Sequence, residues 1–158
     1  MTQNWDYEKE WFEETNVAKK MVDWLTKNGY NVIRSNIKNK RQKGYDIEAE
    51  KGQAYFIFEV KGFPSEKYVS GTKKGLKKPT PSNLQARHWF ADALFSLIIA
   101  KSNNPSYEIG VVLPNKKKYL DLINQISYFR SIFRLHCFLV EENGDVKHID
   151  PESTSINY

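Results

Sequence analysis

The sequence predicts an α/β domain with a central mixed sheet flanked by helices. Three observations carry that prediction. Apolar residues recur at helical spacing near the N-terminus and again mid-chain. Short runs rich in aromatic and branched residues lie between those stretches. The early runs are joined by tight turns, whereas the later ones alternate with helices. A length of 158 residues fits one domain covering 1–158, and a composition 40% hydrophobic and 14% aromatic supports a packed core.

Trp5 to Lys27 reads as the first helix, because Val17, Ala18, Met21, Val22 and Leu25 fall on one face and Asn28-Gly29 stops it. Tyr30 to Ile37 is a strand, Asn39 to Gly44 a basic turn, and Tyr45 to Glu50 and Tyr55 to Lys61 two further strands. Gly62 to Pro81 is a long loop with three prolines and three glycines, and a loop of that length is functional or mobile. Ser82 to Lys101 is a strongly apolar helix, Tyr107 to Leu113 a strand, and Lys116 to Phe133 mainly helix. Arg134 to Glu141 and Val146 to Ile149 form a hairpin through Asn143-Gly144.

Charge placement points to a phosphate-bearing partner. The net charge is +5, and between Lys61 and Ala91 the single acid Glu66 faces Lys61, Lys67, Lys73, Lys74, Lys77, Lys78 and Arg87. A second basic run, Lys38, Lys40, Arg41 and Lys43, precedes Asp46. Two solvated loops would also explain these runs, but a phosphate-facing surface is the sharper reading. The longest apolar stretch, Trp89 to Ala100, is broken by Asp92 and Ser96 and is too short to span a bilayer. One cysteine, Cys137, allows no internal disulfide, and the acidic, aromatic residues of Met1 to Glu14 do not read as a secretory signal. A cytoplasmic protein is the expectation.

The chemistry concentrates on the second and third strands. Gly52-Gln53 suits a two-residue turn that pairs Lys51 with Ala54. Glu50 then faces Tyr55, Glu48 faces Ile57, and Asp46 faces Glu59 with Cβ atoms about 5 Å apart. Two carboxylates that close repel each other, and a divalent cation between them removes the repulsion. Lys61 lies two residues beyond Glu59 and shares its face, where an ammonium could hold a phosphate or the attacking water. Val60 points to the core with Phe56 and Phe58, leaving its carbonyl near the metal.

Gly44-Tyr45-Asp46-Ile47 followed by Phe58-Glu59-Val60-Lys61 resembles the motif of the PD-(D/E)XK nuclease superfamily, nearest to its Holliday-junction-resolvase-like and Mrr-like branches. The resemblance covers roughly Trp5 to Leu113. Tyr45 stands where the proline of the motif's name would be. The resemblance implies a restriction-endonuclease-like αβββαβ core, here with a C-terminal helix and β-hairpin. It implies hydrolysis of DNA phosphodiester bonds with Mg²⁺ or Mn²⁺ held by Asp46, Glu59 and the Val60 carbonyl, with Lys61 as the catalytic lysine. It further implies an acid from the first helix. Glu14 is the first choice, assisting at the metal directly or through water, with Glu10 one turn earlier and Glu13 beside it. Homodimers are a habit of this family. Gln85, with Trp89 one turn on, is similar to the Gln-x-x-x-Tyr pattern of RecB-like nucleases and would position Lys61 or the water. Ser82-Asn83-Leu84-Gln85 equally reads as a capping box, in which Gln85 serves the backbone alone.

No glycine-rich phosphate loop is present. His88, His136 and His148 are scattered and give no zinc pattern, and His88 reads as a packing residue. The competing expectation is a non-cleaving DNA-binding or recombination-accessory protein of the same fold. A bare binding module has no need of Asp46, Glu59 and Lys61 together.

Overall fold

The computed structural model describes residues 5–37 and 43–153. Helix α1 (Glu14–Lys27) precedes strands β1 (Asn31–Ser35), β2 (Ile47–Lys51) and β3 (Ala54–Val60). Helix α2 (Ser82–Asn103), strand β4 (Glu108–Pro114), helices α3 (Lys117–Gln125) and α4 (Ser127–Phe133), and the hairpin β5 (Leu135–Val140) and β6 (Val146–Ile149) follow. The six strands lie in sequence order in one mixed sheet. β1, β2 and β3 run antiparallel, β3 to β5 are parallel, and β6 returns antiparallel to β5. The short turns permit the antiparallel pairs, whereas each parallel pair needs a helical crossover.

Alternation along β3 divides the core. Phe56, Phe58 and Val60 pack with Val17, Met21 and Leu25 of α1, and Ile57 faces the opposite layer with Phe90 and Leu97 of α2 and Tyr119 of α3. Glu59 has the parity of Ile57 and so stands on the α2 side. Among the described residues, no helix is long and apolar enough to cross a membrane.

Four local expectations need correction. The helix read from Trp5 begins at Glu14. Residues 7–9 make a separate 3-10 turn capped by Asp6, and Glu13 caps α1 by accepting from the Thr15 and Asn16 N–H groups. The helix read over Lys116 to Phe133 is two helices with a break at Ile126. The Ser82 capping box does not form, because Pro81 occupies the N-cap and no side chain caps there. His88 is exposed rather than packed.

The histidines scattered in sequence also meet in part. His136 Nδ1 lies 2.9 Å from His148 Nε2. Burial pushes both rings down, His148 to about 4, where the charge of His136 adds to the effect. The loop read over Gly62 to Pro81 is itself ordered: Lys67 bridges to Lys77, and Lys78 N–H donates to the Glu66 carbonyl at 2.9 Å.

Candidate active site

The register of β2 against β3 runs from Lys51–Ala54 through Glu50–Tyr55 and Glu48–Ile57 to Ile47–Phe58. Asp46 lies one residue beyond the last rung, opposite Glu59. Its Oδ2 accepts the Val60 N–H at 2.7 Å. That bond places the Asp46 carboxylate at the β3 backbone where the ladder ends. Gly44, two residues earlier, has φ +126° and sits under the Arg34 guanidinium, so a side chain there would collide. Arg34 also donates to the Lys43 carbonyl and lies 3.7 Å from Glu48. The glycine of the Gly-x-Asp stretch thus lets the chain turn tightly before delivering Asp46.

Glu59 is half-buried. Burial, then the Asp46 charge, pushes its carboxyl up to about 8, with Lys61 pulling the other way. The Glu59 carboxyl therefore keeps its proton past neutral pH. The Lys61 N–H goes to the Val112 carbonyl on β4, whereas the Val60 N–H goes to Asp46. In an extended strand the N–H and C=O of one residue point the same way, so the Val60 carbonyl shares the Asp46 side. Two carboxylate groups and a carbonyl therefore converge at one sheet corner, an all-oxygen donor set that suits a hard divalent cation. Tyr45 completes the wall. Burial and then the Glu59 charge raise its phenol.

Lys61 donates to Asp92 Oδ2 on α2 at 3.0 Å. Burial presses the ammonium toward neutrality, but the Asp92 hydrogen bond and the charges of Glu14, Asp92 and Glu59 outweigh it and the net shift is upward. Lys61 is therefore a charged donor at neutral pH. Sequence reasoning does not single out Asp92 as a site residue. Its one signal is a charge interrupting the most apolar helix, two turns after Gln85.

Glu14 comes from the opposite layer, and its charge bears on Lys61. Gly62 makes this approach possible: a Cβ there would meet the Glu14 nitrogen at 2.6 Å and the Phe12 carbonyl at 2.7 Å. Glu13 is buried as the α1 cap, and Glu10 accepts the Trp5 indole N–H at 2.7 Å. Gln85 is not brought to Lys61. Its Nε2 donates to the Thr80 carbonyl and its Oε1 accepts from Lys78. Among the described residues, no group of three or more Asp, Glu, His or Cys side chains is placed to hold a metal ion.

Lys43, Lys67, Lys73, Lys74, Lys77 and Arg87 are exposed and Lys78 is half-buried. Lys38, Lys40 and Arg41 lie outside the described residues. Lys73 rests over the Tyr68 ring, 5.8 Å from its centroid.

Fold and site together define an α/β protein carrying two neighbouring carboxylates, Asp46 and a raised Glu59, beside a charged lysine. Comparison with protein-family models, curated proteins and solved structures finds no match.

Proposed function

We propose that the chain is a metal-dependent nuclease of the PD-(D/E)XK type, hydrolysing DNA phosphodiester bonds. The observation that carries this reading is the Asp46–Glu59 pair, with Glu59 held up to about 8, set two residues before a lysine that stays charged. Such a pair is costly in a metal-free protein and is explained by a cation it receives. The order of α1, β1 to β3, α2 and β4 agrees with the core that the motif implies.

Asp46, Glu59 and the Val60 carbonyl would hold Mg²⁺ or Mn²⁺. A bound divalent metal of this kind lowers the pKa of its water and offsets charge on the phosphate. The protein's residues do the rest. Lys61 donates to a phosphate oxygen or to the attacking water, and its upward shift makes it a donor rather than the base. Asp92 and Glu14 keep that ammonium charged and in place. The exposed lysines of residues 67–78 hold the DNA backbone without reading sequence.

The alternative is a non-cleaving, accessory DNA-binding protein of the same fold, which would use the basic loop without the chemistry of Asp46, Glu59 and Lys61. A cleavage panel of duplex, single-stranded and branched DNA with Mg²⁺ and with Mn²⁺ decides between the two. The nuclease reading expects cleavage that Lys61→Ala and Asp46→Asn abolish. No cleavage of any substrate, or full activity in Lys61→Ala, overturns it.

A further inference from the structure

Next to the candidate site, where the chain leaves β3, lies an aromatic cleft of about 350 Å³. Its walls include Trp5, Phe12, Phe63 and Pro64, with Lys67 and Lys116 among its lining. The walls are fixed before any ligand arrives. The Trp5 indole N–H donates to Glu10 at 2.7 Å, the Tyr7 hydroxyl to the Phe63 carbonyl at 2.6 Å, and the Phe63 N–H to the Phe12 carbonyl at 2.9 Å. Trp5 remains 40% exposed, so part of a large flat ring is offered to solvent.

Lys116 is the second observation. Its ammonium lies 4.3 Å from the Phe12 ring centroid, 4.8 Å from Trp11 and 5.9 Å from Phe63. Glu66 also lines the cleft, but among the described residues no carboxylate lies within ion-pair distance of Lys116, so this half-buried cation has aromatic faces and no ion-pair partner. A neighbouring hollow continues from Phe63 past Lys116, Lys117 and Lys118.

We propose that this cleft takes an unpaired nucleobase, stacked on Trp5 between the aromatic walls, while Lys116 meets the adjoining phosphate. Stacking suits any base, because every base has a π-face, and the missing anion of Lys116 is what a nucleic-acid backbone supplies. Phe63 is two residues from Lys61, so the base would belong to the strand entering the candidate site. This rests on the nucleic-acid reading above and names its substrate class: DNA carrying single-stranded nucleotides, as at an overhang, flap or branch. A fully paired duplex has no base free to enter.

The test is binding by the full chain in chelator, which separates recognition from cleavage. The probes are a labelled oligonucleotide of about a dozen thymidines, matching the usual span of such sites, and a duplex of equal length. Wild type should bind the single strand more tightly. Trp5→Ala should weaken single-strand binding about five- to hundredfold and leave duplex binding within about twofold, while Trp5→Phe retains most of the affinity. Lys116→Gln should lower the log–log salt slope for the single strand by about 0.7. No single-strand binding by the wild type, or equal losses on both probes with Trp5→Ala, overturns the proposal. If binding behaves as expected but the cleavage panel stays blank, the nuclease reading fails and the cleft stands. If duplex is cut as well as overhang DNA, and Trp5→Ala changes neither, the cleft fails alone.

Discussion

Lys61 at the end of β3 and Asp92 in the middle of α2 are joined by a 3.0 Å ion pair that ties the strand bearing the candidate site to the helix that crosses over it. Asp92 is 72% exposed in its side chain, whereas Lys61 is 19% exposed. An exposed partner of this sort contributes about 0–1 kcal/mol to stability. In the proposed mechanism its role would be to aim the ammonium and keep it charged. Asp92→Asn should therefore lower kcat about tenfold with little change in melting temperature. Because Asp92 is among the groups raising the Lys61 pKa, the alkaline limb of the pH–rate profile should move to lower pH in the variant. Equal kcat and an unmoved alkaline limb would remove Asp92 from the mechanism.

The lysines of residues 67–78 are expected to bind phosphates. Replacing Lys73, Lys74, Lys77 and Lys78 with alanine should weaken duplex binding and reduce the log–log salt slope by about 0.9 for each phosphate no longer neutralised. Melting temperature should hold, since Lys73, Lys74 and Lys77 are exposed and Lys78 is half-buried. An unchanged slope would leave these side chains as ordinary solvated charges.

Gly62 separates the site from α1 by the width of a hydrogen atom on its Cα. Adding a methyl group there meets backbone atoms of Phe12 and Glu14 rather than a yielding side chain. Gly62→Ala should cost about 1–3 kcal/mol as overpacking does, seen in denaturant unfolding. It should also reduce cleavage by more than the loss of folded protein explains, because Glu14 and Lys61 shift together. Wild-type stability in this variant would mean that α1 slides freely against β3.

Much of this architecture was legible because local signals agreed with the fold. Gly52-Gln53 fixed the turn, and the turn fixed the β2–β3 register as far as Ile47–Phe58, the rung next to Asp46 and Glu59. The alternation Phe56, Phe58, Val60 named the α1 face of the sheet in the same way. The illegible parts depend on packing between distant segments. Asp92 meets Lys61 from 31 residues away. Phe12 is held by Phe63, so the aromatic residues before Glu14 leave the helical path that their acids and spacing suggested. Gln85 fitted both a site role and a cap, and the loop took it for a third purpose through Thr80 and Lys78.

The sharpest test concerns the carboxylate pair. Glu59 has an ordinary value of 4.5 and is pushed to about 8 in the folded, metal-free protein. Between those two values the folded chain keeps a proton that the unfolded chain has released. Stability from this group is therefore full below about 4.5 and falls as pH rises through about 8. The loss is on the order of a few kcal/mol, because each unit is worth about 1.4 kcal/mol and part of the site is wet. Unfolding in chelator at acidic, neutral and alkaline pH should show that decline, and Glu59→Gln should flatten it. Asp46→Asn is the more telling variant. Its amide oxygen can still accept the Val60 N–H, while the charge that repels Glu59 is gone. Burial, the larger cause, remains, so the decline should weaken without vanishing, and the variant should be more stable than wild type above pH 8. The same change removes one ligand. Mg²⁺ or Mn²⁺ at about a hundred times its Kd should stabilise wild type by about 2.7 kcal/mol and leave Asp46→Asn nearly unmoved. If metal shifts both proteins equally, it binds elsewhere. If the variant is less stable at every pH, the Val60 hydrogen bond outweighs the repulsion, and Asp46 serves the fold before it serves a cation.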